Sequence, residues 1–264
     1  KPIKVSQAAQ THAGTYYLVD GEGWINASDL STTDNRIEAV QKVLNEKYNN
    51  QERISVYVKQ LDTDRVAAIN DEKSMYAASV AKLGVLYYAQ ERLSQKKLSL
   101  SDEYQYTSAV NGFPGAYDPD GSGKISKMPD DKNYSLENLL KAVAQNSDNV
   151  ATNILGYYVT NQYDKAFQKS VDKAAATSWN MDKKELTARA AGTLMEAVYR
   201  QNGDIITYLS STDYDGERIS KNIDVPVAHK IGDAYDFKHD VAIVYADSPF
   251  ILSIFTDKEG YDKI

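Results

Sequence analysis

The sequence contains no cysteine and only three histidines in 264 residues. The first absence excludes disulfide frameworks, thiolate nucleophiles and cysteine-based zinc or iron sites. The second leaves His12, His229 and His239, whose separations form no HExxH or other helical metal pair, so neither a metal centre nor another cofactor is expected. Basic residues are also too few for a nucleic-acid partner. Thirty Lys and Arg stand against 37 Asp and Glu, a formal charge of −7, whereas binding a phosphate backbone by counterion release needs a basic face. No run approaches the roughly 18 consecutive apolar residues of a membrane span. Lys1-Pro2-Ile3-Lys4 lacks the apolar centre of a secretion signal, so a soluble chain is expected, its targeting segment removed or never present. At 42% apolar and 25% charged residues the chain suffices for one large core or two modest ones.

Two segments of different character are expected. Thr15 to Val19, the turn Asp20-Gly21-Glu22-Gly23 and Trp24-Ile25-Asn26 read as strand, turn and strand, a lone hairpin within residues 1–32. From Thr33 onward the pattern is helical, with Asp34 or Thr33 as N-cap and Ile37, Val40, Val43, Leu44 and Tyr48 on one face. Arg53 to Lys59 and Arg65 to Ile69 alternate around Asp62-Thr63-Asp64 as a β-hairpin. Residues 80–93 are apolar nearly all round, predicting a buried helix. A second helical region, Leu136 to Tyr158, is interrupted near Asn146-Ser147-Asp148-Asn149, and a third covers residues 186–201 with Leu194, Met195, Val198 and Tyr199 inward. Val225 to Ile231, Val241 to Tyr245 and Phe250 to Phe255 are strands with short turns, hence antiparallel neighbours. The expectation for residues 33–264 is an α+β fold, an α/β/α sandwich whose antiparallel sheet comes from both chain ends, with a helical insertion at about 90–220.

Ser79-Val80-Ala81-Lys82 opens the buried helix, and the i, i+3 spacing places hydroxyl and ammonium on one face within reach of each other. A serine hydroxyl becomes a nucleophile when a base is at hand, and a desolvated lysine loses its proton near neutral pH. The helix N-terminus adds free N–H groups where an oxyanion would form. Alone, the tetrapeptide reads as an N-cap and a snorkelling lysine. Two further elements follow it in order: Ser147-Asp148-Asn149 between helices, and Lys230-Ile231-Gly232 on a late strand. Together the three resemble the signature set of class A β-lactamases and penicillin-binding proteins. Gly121-Ser122-Gly123 and Asn149-x-x-Thr152-Asn153 extend the resemblance, which runs from about Thr33 to the end. At the N-terminus, Tyr16-Tyr17-x-Val19 with Gly23-Trp24-Ile25-Asn26 resembles the closing strands of bacterial SH3-like or GW-type wall-binding modules, over about half of such a module.

The resemblance implies Ser79 as the acylated nucleophile, Lys82 as its proton acceptor, Ser147 as proton relay, and Lys230 as carboxylate holder that also polarises Ser147. It implies Asn149 as the partner of the substrate amide and Asp148 as a loop brace. The Ser79 and Asp233 N–H groups, the latter just past Gly232, would form the oxyanion hole. Three departures qualify this. Ile231 replaces the usual Thr or Ser, at a position expected to point away from the pocket. The interval from Ser147 to Lys230 is short, and no Glu-x-x-Leu-Asn context accompanies Asp164, Asp172, Asp182 or Glu185, so no loop glutamate is found to activate water for deacylation. Glu185 reads as a helix-terminal charge. The sequence also stops at Ile264, where such domains carry a final helix: Thr256 to Tyr261 would be its cap and first turn in a chain shortened there.

Asp118-Pro119-Asp120-Gly121-Ser122 imitates the start of an EF-hand calcium loop, but its twelfth position is Pro129 rather than Glu. His229 is expected to point outward from its strand, and 20 tyrosines against five phenylalanines predict polar-edged packing. The first reading is a secreted or surface-attached monomeric serine acyl-transfer protein of a Gram-positive envelope. It would be acylated by β-lactams or peptidoglycan-like peptides, deacylate poorly and associate with the cell wall. The alternative is a catalytically decayed scaffold serving as a wall-binding module. A carboxylate-pair glycosidase stands well behind, since no spacing singles out a pair.

Overall fold

A computed structural model describes residues 3–30 and 33–264. Lys1 and Pro2, half of the N-terminal tetrapeptide, lie outside the described residues, as do Ser31 and Thr32, where the segment boundary was expected. The chain divides into two compact units, the first ending at Lys47 and the second beginning at Tyr48.

In the first unit β1 (Val5–Thr11), β2 (Gly14–Val19) and β3 (Gly23–Asn26) form an antiparallel sheet in that order. The sequence predicts only the β2–β3 hairpin. Val5-Ser6-Gln7-Ala8-Ala9-Gln10-Thr11 has neither alternation nor bulk to announce a strand, and backbone pairing to β2 makes it one. Helix α1 (Arg36–Tyr48) follows. Asp34 caps it, its carboxylate accepting the Arg36 N–H at 3.0 Å and pairing with the Arg36 guanidinium at 2.6 Å. Ile37 and Leu44 are buried, but Val43, expected inward, is exposed.

The second unit runs β4 (Ile54–Gln60), β5 (Val66–Ile69), β6 (Met75–Tyr76), a 3₁₀ turn (Ala78–Ala81), α2 (Lys82–Ser94), β7 (Glu103–Gln105), β8 (Asn133–Ser135), α3 (Leu136–Asn146), α4 (Asn149–Tyr158), α5 (Lys165–Ala175), β9 (Glu185–Leu186), α6 (Ala188–Gln201), α7 (Asp204–Leu209), α8 (Arg218–Lys221), β10 (Val227–Ala234), β11 (Phe237–Val244) and β12 (Phe250–Asp257). Its large sheet is antiparallel in the order β10-β11-β12-β4-β5. Both ends of the unit therefore meet in one sheet, at the β12–β4 seam where Ile254 pairs with Val56. Thr256 belongs to β12 and is buried, its N–H bonded to His239 Nδ1 at 3.1 Å, so the expected helix cap at Thr256 is strand instead.

Helix α6 lies on β4, β11 and β12, while α2, the central helix, meets α5 and α6. The core is continuous through these helices, with Leu83, Leu86, Leu139, Leu140, Ile154 and Phe167 fully buried. Burying each such side chain stabilises the fold by about 1.5–3 kcal/mol. Two of the largest fully buried side chains are lysines, Lys82 and Lys230. A buried ammonium is costly, so the fold carries a penalty at one place, between α2 and the edge strand β10.

Candidate active site

Ser79 lies in the 3₁₀ turn, one turn before the regular helix that the sequence predicts it to open. The preceding Ala78 holds a left-handed φ of 50°, a conformation costing a non-glycine residue about 1–2 kcal/mol and kept only where surroundings over-determine it. Here the Ala77 N–H donates to the Lys184 carbonyl at 2.7 Å. On the other side β10 presses on the turn: a Cβ on Gly232 would lie 2.6 Å from the Ala77 carbonyl oxygen and 3.0 Å from Val80 Cγ2. The glycine of Lys230-Ile231-Gly232 is thus what lets β10 approach Ser79.

The serine–lysine contact expected from the i, i+3 spacing is not made in this structure. Lys82 Nζ donates instead to the Ser147 carbonyl and to Asn149 Oδ1, both at 2.6 Å, with Ser147 Oγ at 3.5 Å. These two strong acceptors, supplied by the α3–α4 junction, hold the amine end. Lys230 Nζ donates to Ser147 Oγ at 2.8 Å and to the Ile231 carbonyl at 3.1 Å. One serine oxygen is therefore flanked by two fully buried lysines, and among the described residues neither has a carboxylate within ion-pair distance. Burial, and then Lys230, hold the Lys82 pKa well below the ordinary lysine value against the pull of Asp148. Burial, and then Arg218, bring Lys230 to about 7 against the pull of Asp240. A lysine with a lowered folded-state pKa binds fewer protons folded than unfolded, so stability rises with pH from about 7 toward the ordinary 10.5 and is lost on the way down. Lys230→Met removes this dependence. Its stability advantage over wild type is expected to be largest at or below about pH 7 and to shrink toward pH 10.5, as urea titrations across that range would show.

Ser147 itself is left-handed (φ 53°, ψ 37°) and ends α3; Asp148 then starts α4. Asp148 is fully buried, and its carboxylate accepts from Ala151 N at 2.8 Å, Lys124 N at 2.6 Å and Ile125 N at 2.9 Å. It caps one helix and tethers the loop 118–125. Gly123 (φ 125°) is where that loop passes Asp148, since a Cβ would lie 2.3 Å from Asp148 Cγ. The Asn149 amide N–H donates to the Asp118 carbonyl at 2.7 Å. The Gly121 and Gly123 carbonyls of the calcium-like loop accept from the Lys127 ammonium at 2.6 and 3.3 Å, and the described residues hold no cluster of three metal-ligating side chains.

His229 does not point outward. It is 1% exposed, with Nδ1 3.0 Å from Asp240 Oδ2 and Nε2 within 3.3 Å of both Thr212 and Asp215. Burial lowers its pKa, but the two carboxylates outweigh that and raise it. The strand forms its own ion pairs beneath the sheet edge, a feature invisible in sequence because Asp215 and Asp240 are remote from each other. Ile231 is buried and absent from the cavity beside Ser79. Asp233 does line that cavity, its carboxylate bound by Arg218 at 3.0 Å, Lys238 at 3.3 Å and the Tyr261 hydroxyl. Arg218, buried beside β10, carried no motif and escaped sequence reading.

The cavity holds about 360 Å³, and Ser79, Asn149, Asp233, Tyr76, Tyr117 and Lys184 are among its lining residues. Tyr117 and Lys184 also escaped sequence reading. The Tyr117 ring has Lys82 Nζ and Lys184 Nζ each 4.5 Å from its centre. None of the four carboxylates between Tyr163 and Glu185 lines this cavity: Asp164 caps α5, Asp172 accepts the Trp179 backbone N–H, and Asp182 and Glu185 line a separate cavity of about 630 Å³ that contains none of the predicted site residues.

The sequence matches the beta-lactamase enzyme family over residues 35–263. Curated protein sequences gave no match. Among solved structures, PBP-A is similar at 14% identity and TM-score 0.70, covering 85% of this chain and 89% of that one. A mutant of PBP-A, an acyl-enzyme complex with penicillin G, is similar at 14% identity and TM-score 0.69, with 86% and 89% covered. A β-lactamase from Sphaerobacter thermophilus gives 15% identity and TM-score 0.67 over the same shares. The fold is shared with these proteins, and with the family match covering nearly all of the second unit the chain belongs to the beta-lactamase enzyme family.

Proposed function

We propose that the protein is a serine acyl-transfer enzyme that forms an acyl-enzyme at Ser79 with β-lactams or peptidoglycan-like peptides. The observation that carries this reading is the pair of buried lysines around Ser147, of which Lys82 follows Ser79 by one turn in the chain. Two ammonium ions cannot share one buried serine without a counter-charge, so one lysine is neutral. A neutral Lys82 has two N–H donors, which the Ser147 carbonyl and Asn149 Oδ1 take, leaving its lone pair to accept a proton. In the acylation step Ser79 Oγ bonds to the substrate carbonyl carbon and its proton passes to Lys82. The oxyanion is met by the Ser79 and Asp233 N–H groups. As the C–N bond breaks, Ser147 hands its hydroxyl proton to the leaving nitrogen and is reprotonated through the lysines beside it. Lys230, charged, holds the substrate carboxylate.

Deacylation is slow in this reading, because none of the carboxylates of residues 163–185 lines the Ser79 cavity and water at the ester has no base from that segment. The acyl-enzyme of the PBP-A mutant is the same chemistry on a shared fold. Location at a bacterial cell envelope, with the first unit meeting the wall, belongs to the same proposal. Labelling with a fluorescent penicillin tests it: wild type takes up one label, on the peptide containing Ser79, and Ser79→Ala takes up none. Equal labelling of the two proteins would overturn the assignment.

A further inference from the structure

Lys184 is the cationic side chain that lines the Ser79 cavity, and the acylation chemistry has no task for it. It sits between Asn180 and β9, in a left-handed conformation (φ 52°), and is 6% exposed. Its Nζ donates to the Gly115 carbonyl at 2.8 Å and lies over the Tyr117 ring. No carboxylate among the described residues is within ion-pair distance of it. An ammonium has three N–H donors, so one protein oxygen leaves donors for something else. The nearby acids do not supply the partner: Asp233 is held by Arg218 and Lys238, Asp118 Oδ1 accepts from the Asp120 N–H, and Asp182, whose charge acts on Lys184 against the larger effect of burial, forms no ion pair with it. Burying an ammonium with one neutral acceptor costs stability, and a ligand anion would offset that cost.

We propose that Lys184 is a specificity residue that selects acyl donors carrying a carboxylate on the side chain of the acyl group. The carboxylate at the leaving-group end has its own partner, Lys230 on β10, whereas Lys184 is bound to the 115–117 segment beside Asn149. In this reading the two cations bind different carboxylates of one substrate. Substrates of this class are peptides in which an acidic residue precedes the bond attacked, and β-lactams with an acidic side chain. The proposal rests on the acylation of Ser79 argued above.

Benzylpenicillin and its α-carboxy analogue carbenicillin differ by that one carboxylate and serve as probes. The readout is the ratio of their second-order acylation rate constants, in which general effects of a substitution on folding or on Ser79 cancel. Wild type is expected to favour carbenicillin over benzylpenicillin by roughly ten- to hundredfold, the range of a hydrogen bond to a charged group. Lys184→Met brings the ratio to about one, Lys184→Arg keeps the preference and Lys184→Glu reverses it. A wild-type ratio near one, or a preference that survives Lys184→Met, overturns the role of Lys184 while leaving Ser79 acylation standing. If neither compound acylates wild type, the underlying reading fails and this one with it.

Discussion

Lys82→Met lowers the rate of Ser79 acylation by about a thousandfold, within the range for removing a positioned general base, and leaves the protein at least as stable as wild type. The two halves of this expectation come from one fact. Lys82 is fully buried between α2 and the α3–α4 junction, and its bonds go to neutral oxygens: the Ser147 carbonyl, Asn149 Oδ1 and, at 3.5 Å, Ser147 Oγ. Its amine is therefore held against desolvation and against Lys230, both of which disfavour the charged form. Methionine fills nearly the same volume without the polar end. It removes the lone pair that takes the Ser79 proton. The cost is an unpaired Ser147 carbonyl and Asn149 oxygen, about 1–3 kcal/mol for each group left unsatisfied, set against relief of the buried amine. Stopped-flow acylation and thermal denaturation of the same preparation check both halves. Acylation within tenfold of wild type would remove Lys82 from the role of base.

Asp148→Ala is expected to destabilise the second unit by roughly 3–5 kcal/mol, since one buried and two partly buried backbone N–H groups lose their carboxylate acceptor. Those donors belong to Ala151 in α4 and to Lys124 and Ile125 in the loop 118–125. On this scale the melting temperature falls by on the order of 10 °C for a domain of this size. The loop is affected first, because Asp148 tethers it while Gly123 gives it room to pass. Acylation therefore slows as well, through disordering of Asp118, whose carbonyl orients the Asn149 amide. Asp148→Asn, which keeps one acceptor oxygen, restores part of the stability. Calorimetry on the three proteins measures the effect, and a melting temperature of Asp148→Ala within about 2 °C of wild type would show that the tether carries little.

The legible parts of this protein were those written locally in the chain. The β4–β5 hairpin, α2, the break between α3 and α4, and the three late strands each carry their own periodicity or turn residues, and each is present. Antiparallel closure of the sheet followed from short connections between β10, β11 and β12. Ser147 and Lys230 lie together as their motif resemblance implied, 2.8 Å apart. The unread parts depend on neighbours remote in sequence. His229 looked like a surface residue because Asp215 and Asp240 are brought to it only by the turn before α8 and the β10–β11 pairing. Arg218, Tyr117 and Lys184 have no local pattern, and only the folded chain brings Tyr117 and Lys184 to one cavity with Ser79. The Ser79–Lys82 contact failed for a similar reason. Helical spacing says which side chains share a face, but the acceptors at Ser147 and Asn149, more than sixty residues away, decide where the amine rests.

The central claim is that Ser79 is a competent nucleophile in a site without an efficient deacylating base. Intact-protein mass spectrometry over time with excess benzylpenicillin tests it most directly, with Ser79→Ala alongside and the free drug quantified in the same samples. The expected result is one adduct per wild-type molecule that persists while the drug concentration stays level after the first turnover, and no adduct on the alanine protein. An unmodified wild-type mass with no drug consumed would contradict the nucleophile. Rapid drug consumption with no adduct accumulating would contradict the missing base.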